Sequence, residues 1–86
     1  MKGPACYEFQ VLLRAQTVSG PWAYSLHVSA GSQAEAEHLS REYLWTILAP
    51  GTPIETVIIK RVFTYASYVP PTIIRAKGSR GNFIGG

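Results

Sequence analysis

Ser32-Gln33-Ala34-Glu35-Ala36-Glu37-His38-Leu39-Ser40-Arg41-Glu42-Tyr43-Leu44-Trp45-Thr46-Ile47-Leu48 is the one helical pattern in a chain that elsewhere alternates like β-strand. Ser32 and Glu35 have the spacing of a capping box, in which hydroxyl and carboxylate satisfy backbone N–H groups left open by the first turn. Ala49-Pro50-Gly51 stops the helix after about four turns. At about 100° per residue, Ala36, Leu39, Tyr43 and Ile47 form one apolar stripe with Leu44 on its margin. That stripe is predicted to lie on a sheet. Glu37 and Arg41 are spaced to pair on the surface, a gain of about 0.2–0.5 kcal/mol. Trp45 falls about 180° from the centre of the stripe, beside His38, Arg41 and Glu42. Large aromatic and Arg side chains dominate interface energetics. Trp45, Arg41, His38 and Glu42 are therefore the candidate partner-binding residues of the helix.

Upstream, Tyr7, Phe9, Val11 and Leu13 alternate with mostly polar neighbours, the period of a half-buried strand. Ser19-Gly20-Pro21 supplies turn chemistry. Beyond it Trp22, Tyr24, Leu26, Val28 and Ala30 share one side, and Ala23, Ser25, His27 and Ser29 the other. Two such runs around Gly20 and Pro21 predict an antiparallel hairpin. Downstream, Ile54 to Tyr65 is the strongest β signal. Its Val57-Ile58-Ile59 core predicts a strand covered on both sides or paired on both edges. Tyr68-Val69-Pro70-Pro71 breaks it, and Thr72-Ile73-Ile74-Arg75 has the composition of a short edge strand. The expected fold is α+β: an antiparallel sheet of three to four strands in β-β-α-β order, with one helix on one face. Residues 1–67 are expected to form the single domain, and 68–86 a Pro- and Gly-containing basic extension, flexible from Gly78 onward.

At 86 residues, 47% hydrophobic and 12% aromatic, the chain has apolar content enough for one small core without a metal or disulfide. One cysteine, Cys6, excludes an intramolecular disulfide and fits a reducing compartment. No apolar run reaches the roughly 18 residues of a membrane span, and the N-terminus lacks the regions of a secretory signal. A soluble cytosolic protein is the expectation. Eight Lys and Arg against five acids give a formal charge of +3. Lys60, Arg61, Arg75, Lys77 and Arg80 all follow residue 55 with no acid among them, so an anionic partner would be felt there.

Catalytic patterns are absent. Two histidines, His27 and His38, with Cys6 do not make a zinc spacing, and both read as surface residues. No Gly-x-Ser-x-Gly elbow activates a serine, no glycine loop cradles phosphate, and Cys6 has no helix N-terminus beside it. His38 and Glu42 are one turn apart, a spacing common by chance. A non-enzyme with no metal and no cofactor is expected. Arg75-Ala76-Lys77-Gly78-Ser79-Arg80-Gly81-Asn82-Phe83 has the make-up of an arm on a phosphate backbone. The ending Gly85-Gly86 resembles the tails of β-grasp sulfur carriers and ubiquitin-like modifiers, which implies an adenylated terminal carboxylate. The long single strand after the helix departs from that family.

The hairpin, the Ser32-Gln33-Ala34-Glu35-Ala36-Glu37 helix start and the long following strand look like small phage-encoded proteins. Several type I anti-CRISPR inhibitors share this layout over about residues 7–65. That resemblance implies steric occlusion of a protein or ribonucleoprotein complex in a host cytosol. The leading expectation is thus a non-catalytic inhibitor. A nucleic-acid module using Arg75, Lys77, Arg80, Lys60 and Arg61 is the alternative, and the Gly-Gly carrier a third. Self-association into a homodimer through strand edges or Trp45 is a further option.

Overall fold

The computed structural model describes residues 5–80, with the side chains of residues 5, 6 and 68 outside the description. Strands β1 (Ala5–Thr17) and β2 (Gly20–Ala30) precede helix α1 (Gln33–Ile47), and strands β3 (Ile54–Val69) and β4 (Thr72–Arg80) follow it. All pairings are antiparallel, in the order β3-β1-β2-β4. The α+β class, the helix and the alternation of the hairpin are as the sequence predicts.

The hairpin turn is tighter than the sequence reading. Only Val18 and Ser19 separate the strands, and Gly20 opens β2 at φ +109°, a backbone region that favours glycine. The Thr17 hydroxyl donates to the Gly20 carbonyl (2.8 Å) and accepts from the Ser19 N–H (3.2 Å). This turn fixes Phe9 opposite Val28, Val11 opposite Leu26 and Leu13 opposite Tyr24, so the apolar sides of both strands coincide.

Those residues with Ala15 and Ala30 form the core, closed by Ala36, Leu39 and Leu44 of the helix. Burial of each large side chain stabilises by about 1.5–3 kcal/mol. Half of the capping box forms: Ser32 accepts from the Glu35 N–H (3.2 Å), while the Glu35 carboxylate accepts from the N–H of Gly31 (2.7 Å), one residue before the cap. The stripe is rotated from its predicted centre. Ser40 and Leu44 are buried with Ala36 and Leu39, while Ile47 is 55% exposed. Ser40 turns its hydroxyl back to the Ala36 carbonyl (2.8 Å), so a polar residue tolerates the core side.

Two further expectations are corrected. Strand β3 is an edge strand, bonded only to β1. Its consecutive apolar residues arise from register shifts. Leu12 pairs Ile58 and Leu13 pairs Thr56, leaving Val57 extra; Glu8 pairs Phe63 and Phe9 pairs Arg61, leaving Val62 extra. Such bulges change which face successive residues address, mimicking a doubly buried strand. The boundary after residue 67 does not stand either. Residues 72–80 are a full strand of the same sheet, bonded to β2. Gly78 permits this, because a Cβ there would lie 2.6 Å from the Tyr24 ring.

Pro70-Pro71 joins strands at opposite margins of the sheet. Ser29, fully buried, receives the crossing: its hydroxyl donates to the Pro70 carbonyl (2.7 Å) and accepts from the Thr72 N–H (3.0 Å). The single helix covers one face only, and the molecule is 16 Å through its thinnest axis. Among the described residues no second layer packs on the other face, though Ser29 and Ala23 on it are buried.

Candidate functional site

The register places four rows of side chains across the open face, from β3 through β1 and β2 to β4. They run Phe63–Glu8–Ser29–Thr72, Lys60–Gln10–His27–Arg75, Ile58–Leu12–Ser25–Lys77 and Glu55–Arg14–Ala23–Ser79. Their parity is opposite to that of the core residues, which is why the helix does not reach them.

Glu8 is the electrostatic centre. One oxygen accepts from Nδ1 of His27 (2.7 Å) and the other from the Tyr65 hydroxyl (3.0 Å). The hydrogen bond from His27 lowers the Glu8 pKa most, and Tyr65 with the charges of His27 and Arg75 add to it against an opposing effect of burial. Burial first, and then the bond to Glu8, raise the pKa of the Tyr65 phenol. Holding Nδ1 on a carboxylate orients the imidazole and turns Nε2 to the other side of the ring. His27 also lines a shallow cleft of about 530 Å³ with Ser25, Arg75, Ala76 and Lys77. Gln10 donates to the Ser25 hydroxyl at 3.4 Å.

Charge on this face is unevenly neutralised. Arg14 is bound to Glu55 at 2.6 Å and Glu8 to His27. Among the described residues, Lys60, Arg75 and Lys77 make no ion pair. Beside them stand exposed apolar groups, Ile58 (49%) and Phe63 (55%), with Phe63 edge-on to Tyr65 at 5.2 Å between centroids.

The basic residues expected from sequence are therefore divided by the sheet. Lys60, Arg75 and Lys77 share the open face, whereas Arg61 and Arg80 take the helix side. Arg61 lies over the Tyr7 ring (4.9 Å) and Arg80 over Trp22 (5.8 Å). The arm from Arg75 to Arg80 is strand, and its continuation Gly81 to Phe83 lies outside the described residues, as do Gly85 and Gly86.

The helix candidates are also divided. Trp45 is 43% exposed, with its indole N–H on the Thr52 carbonyl (3.3 Å). His38 and Glu42 form an exposed pair at 3.1 Å. Arg41 is not a free contact: it donates to the Ile54 carbonyl (2.8 Å), the Thr56 hydroxyl (2.9 Å) and Glu37 (3.3 Å). It ties the helix to β3. The Thr56 hydroxyl also donates to Glu37 (2.7 Å), and that bond is the main reason the Glu37 pKa is lowered.

Sequence reasoning passed over Glu8, Leu12, Tyr65 and Phe63, and read His27 as a solvent-facing residue. It had the right side for His27. Locating the turn at Val18-Ser19 sets His27 opposite Gln10, diagonal to Glu8 and within side-chain reach; that register was the missing signal. Among the described residues, no three His, Cys, Asp or Glu side chains are grouped to hold a metal ion, and no helix is long and apolar enough to cross a membrane. Comparison of the chain with protein-family models, curated proteins and solved structures gave no match.

Proposed function

We propose that this chain is a binding protein that takes a single-stranded polynucleotide across the open face of its sheet. The observation that carries the reading is the coincidence, on one sheet face, of Lys60, Arg75 and Lys77, which have no ion-pair partner among the described residues, and the exposed Phe63 and Ile58. Cations hold phosphates, while an apolar and aromatic platform takes base faces that a duplex keeps stacked away. The test is fluorescence anisotropy of a labelled 12-nucleotide single strand over a salt series. Three phosphate contacts give a log–log slope of about −2. Phe63→Ala weakens binding about 5- to 150-fold, the equivalent of about 1–3 kcal/mol per stacked base. Trp45→Ala, on the helix surface, leaves it unchanged. A flat salt dependence, or Phe63→Ala binding like the wild type, rejects the reading.

A second reading has its own observation. Trp45 remains 43% exposed near the end of the helix, and Ile47, on another side of the same turn, is 55% exposed, which favours a steric inhibitor docking a protein or ribonucleoprotein through the helix surface. In that case Trp45→Ala abolishes target binding and Phe63→Ala does not.

A further inference from the structure

We infer that the cleft between β2 and β4 is a phosphodiester site, formed by Ser25, His27, Arg75 and Lys77, that anchors one end of the bound strand. The inference rests on the polynucleotide reading and assigns the group that is recognised and its place.

The register sets Arg75 opposite His27 and Lys77 opposite Ser25. The two cations are two residues apart on one strand, about 6.7 Å along it, and both address the same face. Phosphates of adjacent nucleotides meet a guanidinium fork at Arg75 and an ammonium at Lys77, with the Ser25 hydroxyl as a neutral donor. Lys77 and Arg75 stand on the outermost strand, so a polymer enters without an obstructing layer. The charge of Glu8 reaches Arg75, but among the described residues Glu8 forms no ion pair with Arg75 or Lys77. Its oxygens are taken by His27 and Tyr65, and its side chain is 18% exposed. Among the described residues His27 Nε2 has no hydrogen-bond partner, and the ring lines the cleft.

Lys60 occupies the same row as Arg75 three strands away, about 14 Å off at the usual strand spacing. A strand anchored in the cleft crosses the sheet over Leu12 and Ile58 and meets Lys60 a few nucleotides later. Phe63 lies beyond, at the β3 margin.

The experiment uses the full chain with a 12-nucleotide oligothymidylate, measuring affinity across salt together with the His27 ring-proton NMR signals. Arg75→Ala with Lys77→Ala is expected to weaken binding at low salt by at least tenfold and to make the salt slope shallower by about 1.4, at about 0.7 per lost phosphate contact. Phe63→Ala weakens binding with the slope kept. Oligothymidylate shifts the His27 signals in the wild type and not in the double variant, while the conservative pair Arg75→Lys and Lys77→Arg retains the shift. Both positions are exposed, and an unchanged thermal unfolding curve confirms that the double variant is folded. If the wild type binds oligothymidylate but the double variant keeps its slope, the cleft site is overturned and the polynucleotide reading survives. If the wild type does not bind, both fall. An equal His27 shift from inorganic phosphate at the same phosphate concentration overturns the polymer as the ligand.

Discussion

Glu8 joins three strands through one carboxylate: it sits on β1, accepts from His27 on β2 and Tyr65 on β3, and lies within the field of Arg75 on β4. Because its pKa is lower folded than unfolded, it contributes stability that is fully present above the unfolded value. That stability is lost as pH falls through the folded value. Glu8→Gln is expected to cost about 1–3 kcal/mol at pH 7, where charge-assisted bonds are replaced by neutral ones. The difference from wild type shrinks as both are titrated below the ordinary glutamate value of 4.5. Urea denaturation at pH 7 and at acid pH checks this; a gap of constant size across the series would disprove it. Strand alternation alone puts Glu8 and His27 on the face opposite Phe9 and Leu26. It does not say that they touch, because diagonal contact depends on the turn, and Ser19-Gly20-Pro21 reads as a loop when the turn is Val18-Ser19.

Helix α1 was legible in its start, its stop and its apolar side, but its rotation was not. Periodicity weighs Tyr43 and Ile47 by hydrophobicity, whereas packing over the sheet selects Ala36, Leu39, Ser40 and Leu44 and leaves Ile47 at the helix end. Leu44→Ala is therefore expected to destabilise by about 2–5 kcal/mol. Ile47→Ala should change stability by no more than about 1 kcal/mol, since its side chain remains largely in water. Comparable losses in chemical denaturation would mean that the helix sits as its apolar stripe alone implies. Strand β3 taught a different lesson. Val57 and Val62 are extra residues at register shifts, and a string of letters holds no mark of a bulge. The same blindness hid the second half of β4, past Arg75: Gly78 reads as a tail residue, but its missing side chain is what accommodates Tyr24.

The whole molecule is a charged slab with two unlike surfaces. The helix carries Glu35, Glu37 and Glu42 against Arg41, whereas Lys60, Arg75 and Lys77 on the open face have no ion-pair partner among the described residues. Composition along the chain located the cationic excess but could not assign sides, so Arg61 and Arg80 were grouped with residues on the other face. With the surfaces 16 Å apart, and a screening length of about 8 Å at physiological salt, the helix charges act weakly on a strand bound to the sheet. Ala34→Lys with Glu42→Lys adds three positive charges to the helix surface. It should alter oligonucleotide affinity by less than about twofold at 0.15 M salt, although Lys60→Ala, a change of one charge, should weaken binding more. The reverse ranking in anisotropy titrations would point to a diffuse field and not to the open face. The Pro70-Pro71 crossing has one more consequence. It fastens the two outermost strands to each other across the end of the hairpin, with Ser29 as the catch. Each of those strands pairs with a different arm of the hairpin, so the link makes the two margins of the sheet one unit through the chain itself and not only through the hairpin between them.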